Sequence, residues 1–372
     1  MKGGPLQSTL TYAIVGCGAG IVGLHLDALA RLPKTEVVAM CDIDIDRGLE
    51  RAKGAGCSFF TDHRELLQKV HPDVAVICTP HPLHARMAID CLGARAHVLV
   101  EKPIAVDVAD ADEMIAAADD AGRVLAVSFQ ERFRPAIEHA RAFLARGGLG
   151  SMLRILAVQP SLRSAAYYRS APWRGSWKGE GGGVLVNQAA HTLDFVCHLA
   201  GMPAKVWGVA RRRNHEIQCE DSAHALLEWQ SGAMGYVTVS TAEAGAEPRL
   251  EILGDRALVK LVGDELSIVH FEPSLCDHIA SAEEGFAEPR TTVERIDLPA
   301  STRPRHDALH EDFQIAIREE GRPRCDARDA RMSLELANAI LLSSFTERPV
   351  ELPVDRAAYR RLLARLQGEN VG

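Results

Sequence analysis

The order of apolar and polar positions divides the chain into two unlike halves. Leu10 to Val15 is a short apolar run that reads as a buried strand, and it stops at Gly16-Cys-Gly18-Ala-Gly20-Ile-Val-Gly23. Beyond the glycines Leu24, Ala28 and Leu29 recur at helical spacing, so the opening predicts strand, glycine turn, helix. A second strand at Val37 to Met40 ends at Asp42. The alternation continues with Phe59-Phe60, a helix over 62–70, a strand over 73–78, a helix over 83–92 and a strand over 97–100. A helix over 107–121, a strand over 123–129 and a helix over 134–146 complete it. Strands alternating with helices imply a parallel, doubly wound sheet, here an α/β Rossmann domain over residues 1–150.

From Met152 the period changes. Strand-like runs at 153–158, 206–210, 223–229, 233–240, 250–253, 257–262 and 266–271 predict a large, mostly antiparallel sheet in an α+β domain over 151–345. One segment interrupts them: an aromatic and arginine-rich loop from Tyr167 to Trp177, then Gly181-Gly-Gly183. It leads into a helix on which Asn187, His191 and Asp194 share a face. Amphipathic helices follow at 307–319 and 327–344, and the segment 346–372 is expected to pack back on the first domain. Many strands with few helices to cover both sheet faces predict a homo-oligomer, a homodimer or homotetramer.

In an open parallel sheet, ligands lie beyond the carboxyl ends of the strands, which selects the candidate residues of the first half. A glycine turn between a strand and the first helix lets backbone approach a pyrophosphate, where free N–H groups and the helix dipole favour an anion. Asp42, at the end of the second strand, is placed to accept both ribose hydroxyls. Its charge, with no Arg immediately following, favours NAD over NADP. The candidate cofactor contacts are therefore Gly16, Gly18, Gly20, Ile21, Val22, Gly23, Asp42, Thr79, Pro80, His84, Glu101 and Lys102. Either Gly16, Gly18 and Gly23 or Gly18, Gly20 and Gly23 can be the working set, and His84 reads equally as a packing residue. Glu101-Lys102-Pro103 stands at the end of the apolar run 97–100, and its X-Pro bond permits a cis peptide. In the second half Tyr168, Arg169, Trp173 and Arg174 are candidate substrate contacts, since aromatic faces cover C–H surfaces and guanidinium groups grip hydroxyl or acidic substituents.

Composition narrows the class. The 372 residues are 47% hydrophobic and 25% charged with a net charge of -8, the balance of a soluble globular protein without a polyanionic partner such as nucleic acid. Arg211-Arg212-Arg213 is a tight basic cluster but too short for a binding patch, and reads as a solvated edge. The nine cysteines, at 17, 41, 57, 78, 91, 197, 219, 276 and 325, contain no Cys-x-x-Cys pair and read as buried thiols in a reducing compartment. Neither His81 and His84 nor His215, Cys219 and His224 complete a metal pattern, so no metal is expected. Met1 to Thr9 lacks the form of a leader, and no run approaches the ~20 apolar residues a membrane span needs. A cytoplasmic protein is expected.

Taken together, the glycine turn with His25 and Ala28-Leu29 after it, Glu101-Lys102-Pro103, Phe129-Gln130-Glu-Arg132-Phe133, and Gly181-Gly-Gly-x-Leu-x-Asn187-x-x-x-His191-x-x-Asp194 resemble the glucose-fructose oxidoreductase and inositol dehydrogenase (Gfo/Idh/MocA) family over nearly the full chain. The resemblance implies a Rossmann domain, an α+β domain whose open sheet serves oligomer contacts, and reversible oxidation of a sugar or cyclitol hydroxyl by a nicotinamide cofactor. It adds Gln130 and Arg132 to the cofactor candidates, with Arg132 equally readable as a structural anchor. It also places Lys102, Asn187 and His191 at the reaction centre as catalytic and substrate-binding residues. On that footing His191 is the general base, Lys102 stabilises the developing alkoxide, and Asn187, an amide where the family has Asp, can position but cannot take a proton. A redox-neutral cleavage or epimerisation of a glycoside on tightly held NAD is the alternative. A non-catalytic dinucleotide-binding regulator is a further one.

Overall fold

The computed structural model describes residues 9–298 and 303–368. The segment 1–8, on which most of the reading of a missing leader rests, lies outside the described residues. β1 (Leu10–Val15), β2 (Thr35–Cys41), β3 (Ser58–Phe60), β4 (Val74–Ile77), β5 (His97–Val100) and β6 (Leu125–Val127) form a six-stranded sheet in the order β3-β2-β1-β4-β5-β6. Every pairing in it is parallel. The apolar runs of β1 and β4 are buried on both faces, as a sheet covered by helices on both sides requires. The strand order reverses between β1 and β4, which opens a crevice at their carboxyl ends.

The connecting helices are α1 (Val22–Arg31), α2 (Ile45–Ala55), α3 (His63–Val70), α4 (His84–Gly93) and α5 (Val108–Ala121). Asp44, Asp62 and Asp107 cap α2, α3 and α5 by accepting backbone N–H bonds, each worth about 1 kcal/mol. α1 and α4 differ from these: among the described residues no side chain caps either N-terminus and no acid stands in either first turn.

In the second half β7 (Met152–Pro160), β8 (Lys205–Arg211), β9 (Ser222–Glu228), β10 (Met234–Ser240), β11 (Arg249–Gly254), β12 (Ala257–Val262), β13 (Glu265–Glu272), β14 (Arg290–Arg295) and β15 (Val350–Glu351) form a nine-stranded sheet. Its order is β14-β13-β12-β11-β7-β10-β9-β8-β15, antiparallel except for the pair β7 and β10. One face carries Ile155, Ala157, Leu227, Val237 and Val239 into the core. The opposite face sets Trp207 beside Leu226, with 40% and 49% of their surfaces exposed.

By contact density the chain forms two units. Among the described residues, the first holds those up to Phe133, Lys178–Gly181 and a stretch ending at Leu334, and the second holds the others. The first unit thus gives up its chain at Phe133 rather than at 150, and the helix Pro135–Ala145 belongs to the second. The helix Arg305–Arg318 belongs to the first, where Arg31 of α1 grips Asp307 through two hydrogen bonds of 2.8 and 2.7 Å. Residues 346–368 group with the second unit by contact density. The physical reason is local: β15 pairs with β8, and Glu335 accepts bonds from Val354 N at 3.0 Å and Arg356 Nη1 at 2.5 Å. All nine cysteines are free, and seven are buried; Cys57 is half-buried and Cys276 exposed.

Candidate active site

The glycine turn is held against the ends of β2 and β4. Gly16 has φ +84°, and the Gly16 and Cys17 N–H groups donate to the Cys41 carbonyl at 2.8 and 3.1 Å. A Cβ at Gly16 would lie 2.7 Å from Thr79 N and 2.8 Å from the Cys78 carbonyl carbon, so glycine is required for both conformation and space. Gly18 N donates to Asp42 Oδ2 at 2.6 Å and Asp44 N to Asp42 Oδ1 at 2.8 Å, fixing the carboxylate at the rim of the turn. Nothing lies within 4 Å of a Cβ built at Gly20 or Gly23. The Thr79 hydroxyl at the end of β4 is buried without a hydrogen-bond partner. An uncapped helix end, open glycines, a fixed carboxylate and an orphaned hydroxyl fit a dinucleotide. Val22 is fully buried, so its side chain serves the core, while Ile21 occupies the cap position of α1.

Beyond β5, Glu101 is tied into the protein. Its Oε1 lies 2.9 Å from His25 Nε2, and His25 Nδ1 lies 2.9 Å from His310 Nε2 on the helix Arg305–Arg318. The His306 ring meets His25 edge-on, with centroids 5.2 Å apart. Burial pushes the Glu101 carboxyl up, but the hydrogen bond and charge of His25 outweigh it and hold the pKa at about 2. Burial depresses His310 well below its ordinary value and, with the charge of His25, lowers His306 to about 4. Donor atoms of His25, Glu101 and His306 lie within 4.8 Å of one another, a spacing a metal could use, although His25 and Glu101 already meet at hydrogen-bond distance. These contacts fix the strand end from which Lys102 leaves, and the Lys102–Pro103 peptide is cis.

Two cofactor candidates have structural partners. His84 is fully buried, with Nδ1 2.8 Å from the Pro103 carbonyl and Nε2 2.8 Å from the Thr79 carbonyl, and so pins two strand-end loops together. Burial lowers its pKa. Arg132 is 2% exposed, donates to the Arg324 carbonyl at 2.6 Å and lies over the Phe129 ring at 5.6 Å, which makes it an anchor of the turn containing Gln130. Pro80 caps the short turn His81–Leu83.

In the second unit the polar stripe is not a single helix. The regular helix runs Ala190–Ala200 and carries His191 and Asp194, while Asn187 lies in the turn before it. Glu220 is the reason: its Oε1 accepts Gly183 N at 2.9 Å and Leu185 N at 3.1 Å, and its carbonyl accepts Val184 N at 3.0 Å. A Cβ at Gly183 would sit 1.9 Å from that carbonyl oxygen, so the glycine run lets the turn close on Glu220. Ala189 N then bonds Val184 O at 2.7 Å, out of helical register. Asp194 is fully buried and Asn187 is 8% exposed. His191 is half-buried in the helix's first turn.

Tyr167, which sequence pattern did not single out, is the hub of the aromatic loop. Its hydroxyl accepts from Arg174 Nη1 at 2.5 Å, Gln188 Nε2 at 3.0 Å and Asn187 Nδ2 at 3.3 Å. Arg174 stacks between Tyr167 and Trp173 at 4.2 and 4.5 Å from their ring centroids. Tyr168, a candidate substrate contact, bonds the Thr241 hydroxyl at 2.8 Å and packs on His215, 4.8 Å between centroids. Arg169 is exposed at the end of the helix Ala165–Arg169. Gln188 and Glu220 escaped the sequence because their partners lie 20 or more residues away, and Tyr167 because two of its three donors do, although Arg174 is only seven residues on.

Residues 10–129 match the model of an oxidoreductase family with an NAD-binding Rossmann fold, and residues 137–260 match the GFO/IDH/MocA C-terminal domain. A trans-1,2-dihydrobenzene-1,2-diol dehydrogenase of Bos taurus is 30% identical over 259 residues, covering 68% of this chain and 74% of that protein. The chain belongs to the Gfo/Idh/MocA family. Within the family, the D-glucoside 3-dehydrogenase of Escherichia coli is 30% identical over 233 residues, covering 62% of this chain and 64% of its own. Among solved structures, the WlbA dehydrogenase of Bordetella pertussis in complex with NADH and UDP-GlcNAcA has a TM-score of 0.80 at 26% identity, covering 94% of this chain and 100% of that one. As a member of the Gfo/Idh/MocA family the chain is an oxidoreductase with an NAD-binding Rossmann domain. Among the described residues no helix is long and apolar enough to cross a membrane.

Proposed function

We propose that the chain is an NAD-dependent dehydrogenase that moves hydride between the nicotinamide and a secondary hydroxyl or ketone of a sugar, glycoside or cyclitol. The observation that carries the reading is the fixed end of β5, where Glu101, held by His25, delivers Lys102 directly after a buried strand. The sugar and glycoside dehydrogenases among its relatives support the substrate class. NAD, when bound, supplies the hydride acceptor. Lys102 stabilises the developing alkoxide with its ammonium group, and His191 takes the hydroxyl proton, an effect worth about 10²- to 10⁴-fold. Asn187 orients the substrate through its amide. Preference for NAD over NADP rests on Asp42, whose carboxylate faces any 2'-phosphate at the ribose, while the nearby Arg47 is paired with Asp44 at 3.5 Å.

The outer row of Trp207 and Leu226, with Val209 49% exposed, supports self-association of the chain through its open sheet. Light scattering at micromolar concentration tests this, and a monomer contradicts it. The activity is tested by NADH absorbance with free polyols, sugars and glycosides, beside an assay for cleaved product. Formation of NADH is expected. Cleaved product without NADH marks the redox-neutral cycle instead.

A further inference from the structure

We infer that the cluster around Tyr167 is an anion subsite, and that the substrate carries an acidic group, a carboxylate or a phosphate ester, seated against Arg174 and Arg163. The inference rests on the dehydrogenase reading above and narrows its substrate class.

The first support is an imbalance of donors. Three N–H groups, from Arg174, Gln188 and Asn187, converge on the one phenolic oxygen of Tyr167. A hydroxyl oxygen has two lone pairs, so the convergence exceeds what it can accept. An additional acceptor oxygen placed there is rewarded, and a charged one most of all.

Charge is the second. Arg163 lies 5.3 Å and Arg174 4.2 Å from the Tyr167 ring centroid, so two guanidinium groups share one aromatic ring. Arg163 donates only to the carbonyls of Ser161 and Leu162, and Arg174 to the hydroxyls of Ser170 and Tyr167. Neither reaches a carboxylate among the described residues. Comparable arginines elsewhere do: Arg134 pairs with Asp264, Arg305 with Glu131, Arg331 with Asp112 and Arg356 with Glu335. Ring quadrupoles offset part of the charge, but an anion offsets it in full and adds hydrogen bonds.

Position is the third. Asn187 and Gln188 lie four and three residues before His191, so the donors that crowd Tyr167 belong to the turn that leads directly into the helix of the proposed base. The amide at 187 contributes no negative charge to the cluster.

The test uses the full chain saturated with NAD and titrated calorimetrically with D-glucuronate, D-glucose 6-phosphate and D-glucose. At least one anionic sugar is expected to bind roughly tenfold or more tightly than glucose, the scale of one charge-assisted contact, with affinity falling as salt rises. Whichever of the two binds names the acidic group. Arg174→Ala is expected to shrink that preference to within about twofold with NAD affinity unchanged, and Arg163→Gln to shrink it less. The Arg163 variant and the salt series decide the matter should the Arg174 variant not fold. Glucose binding as tightly as both anions, no saturable binding of either anion, or a preference that survives both substitutions overturns the inference. Oxidation of neutral polyols without any anion preference leaves the dehydrogenase reading standing alone. Arg174-dependent anion binding with no NADH formed from any substrate removes that reading and leaves the subsite.

Discussion

The two candidate regions satisfy their polar groups in opposite ways. Around the glycine turn nearly every charge is answered by a neighbour: Asp42 by two backbone amides, Glu101 by His25, and the ring nitrogens of His84 by two carbonyls. Around Tyr167 three donors share one oxygen, and among the described residues two guanidinium groups have no carboxylate. A closed network holds shape, whereas a surplus of donors costs free energy until a ligand supplies acceptors. On the reading proposed above, the difference separates a preformed cofactor cradle from a region that waits for a ligand.

The largest effect that sharpens the contrast is expected at Gly16. Gly16→Ala forces a side chain into φ +84° and into backbone atoms 2.7 and 2.8 Å away, which costs about 1–3 kcal/mol in strain alone and displaces the turn. Its thermal midpoint should fall and NAD affinity drop more than tenfold, by calorimetry. Gly20→Ala, with nothing within 4 Å, should leave the midpoint alone, so any loss there is a loss of NAD contact. Equal stability of the two variants breaks the picture of a turn locked on β4.

A smaller effect lies in the histidines behind Glu101. His306 has a depressed pKa of about 4, so it stays neutral when folded while the unfolded chain binds a proton below about pH 6.5. Its contribution to stability is therefore full above pH 6.5 and lost as pH falls from 6.5 towards 4. The same sign holds for His310, and Glu101 adds a loss as pH falls from about 4.5 towards 2. Urea midpoints at pH 7 and pH 5 should differ less in His306→Gln than in the parent chain. An unchanged difference shows that the cluster does not titrate in this way.

The smallest effect is expected at Asn187. Asn187→Asp should keep substantial turnover, within roughly tenfold, because size is preserved and the residue only positions. It should also weaken binding of an anionic substrate, since a carboxylate then joins the cluster around Tyr167. Abolished turnover assigns Asn187 a larger role.

How much of this was legible in the sequence follows the same division. The cofactor half is written locally: apolar runs end at glycine, Asp42 and Lys102, and the strand over 97–100 is found at His97–Val100. The parallel sheet and its helices follow from neighbouring residues, whereas the need for glycine at 16 comes from Cys78 and Thr79 far along the chain. In the second half the strands with alternating burial were legible, but β14 and β15 were not. All of β14 is exposed and, apart from Val293, polar, and β15 spans two residues between prolines. The helical spacing of Asn187, His191 and Asp194 misled because Glu220, far along the chain, captures the amides of Gly183 and Leu185 and delays the helix to Ala190. The hub Tyr167 was hidden beside Tyr168, whose hydroxyl, of identical chemistry, bonds Thr241.

The central claim, that Lys102 and His191 carry the chemistry while the glycine turn carries the cofactor, is tested most directly by turnover and NAD affinity measured together on Lys102→Ala, His191→Ala and the double variant. Each single change should lower kcat by at least about a hundredfold with the Kd for NAD within about twofold of the parent, and the double variant should fall little further because the two act on one step. Near-normal kcat in His191→Ala, or a loss of NAD affinity that accounts for the fall in either variant, would contradict it.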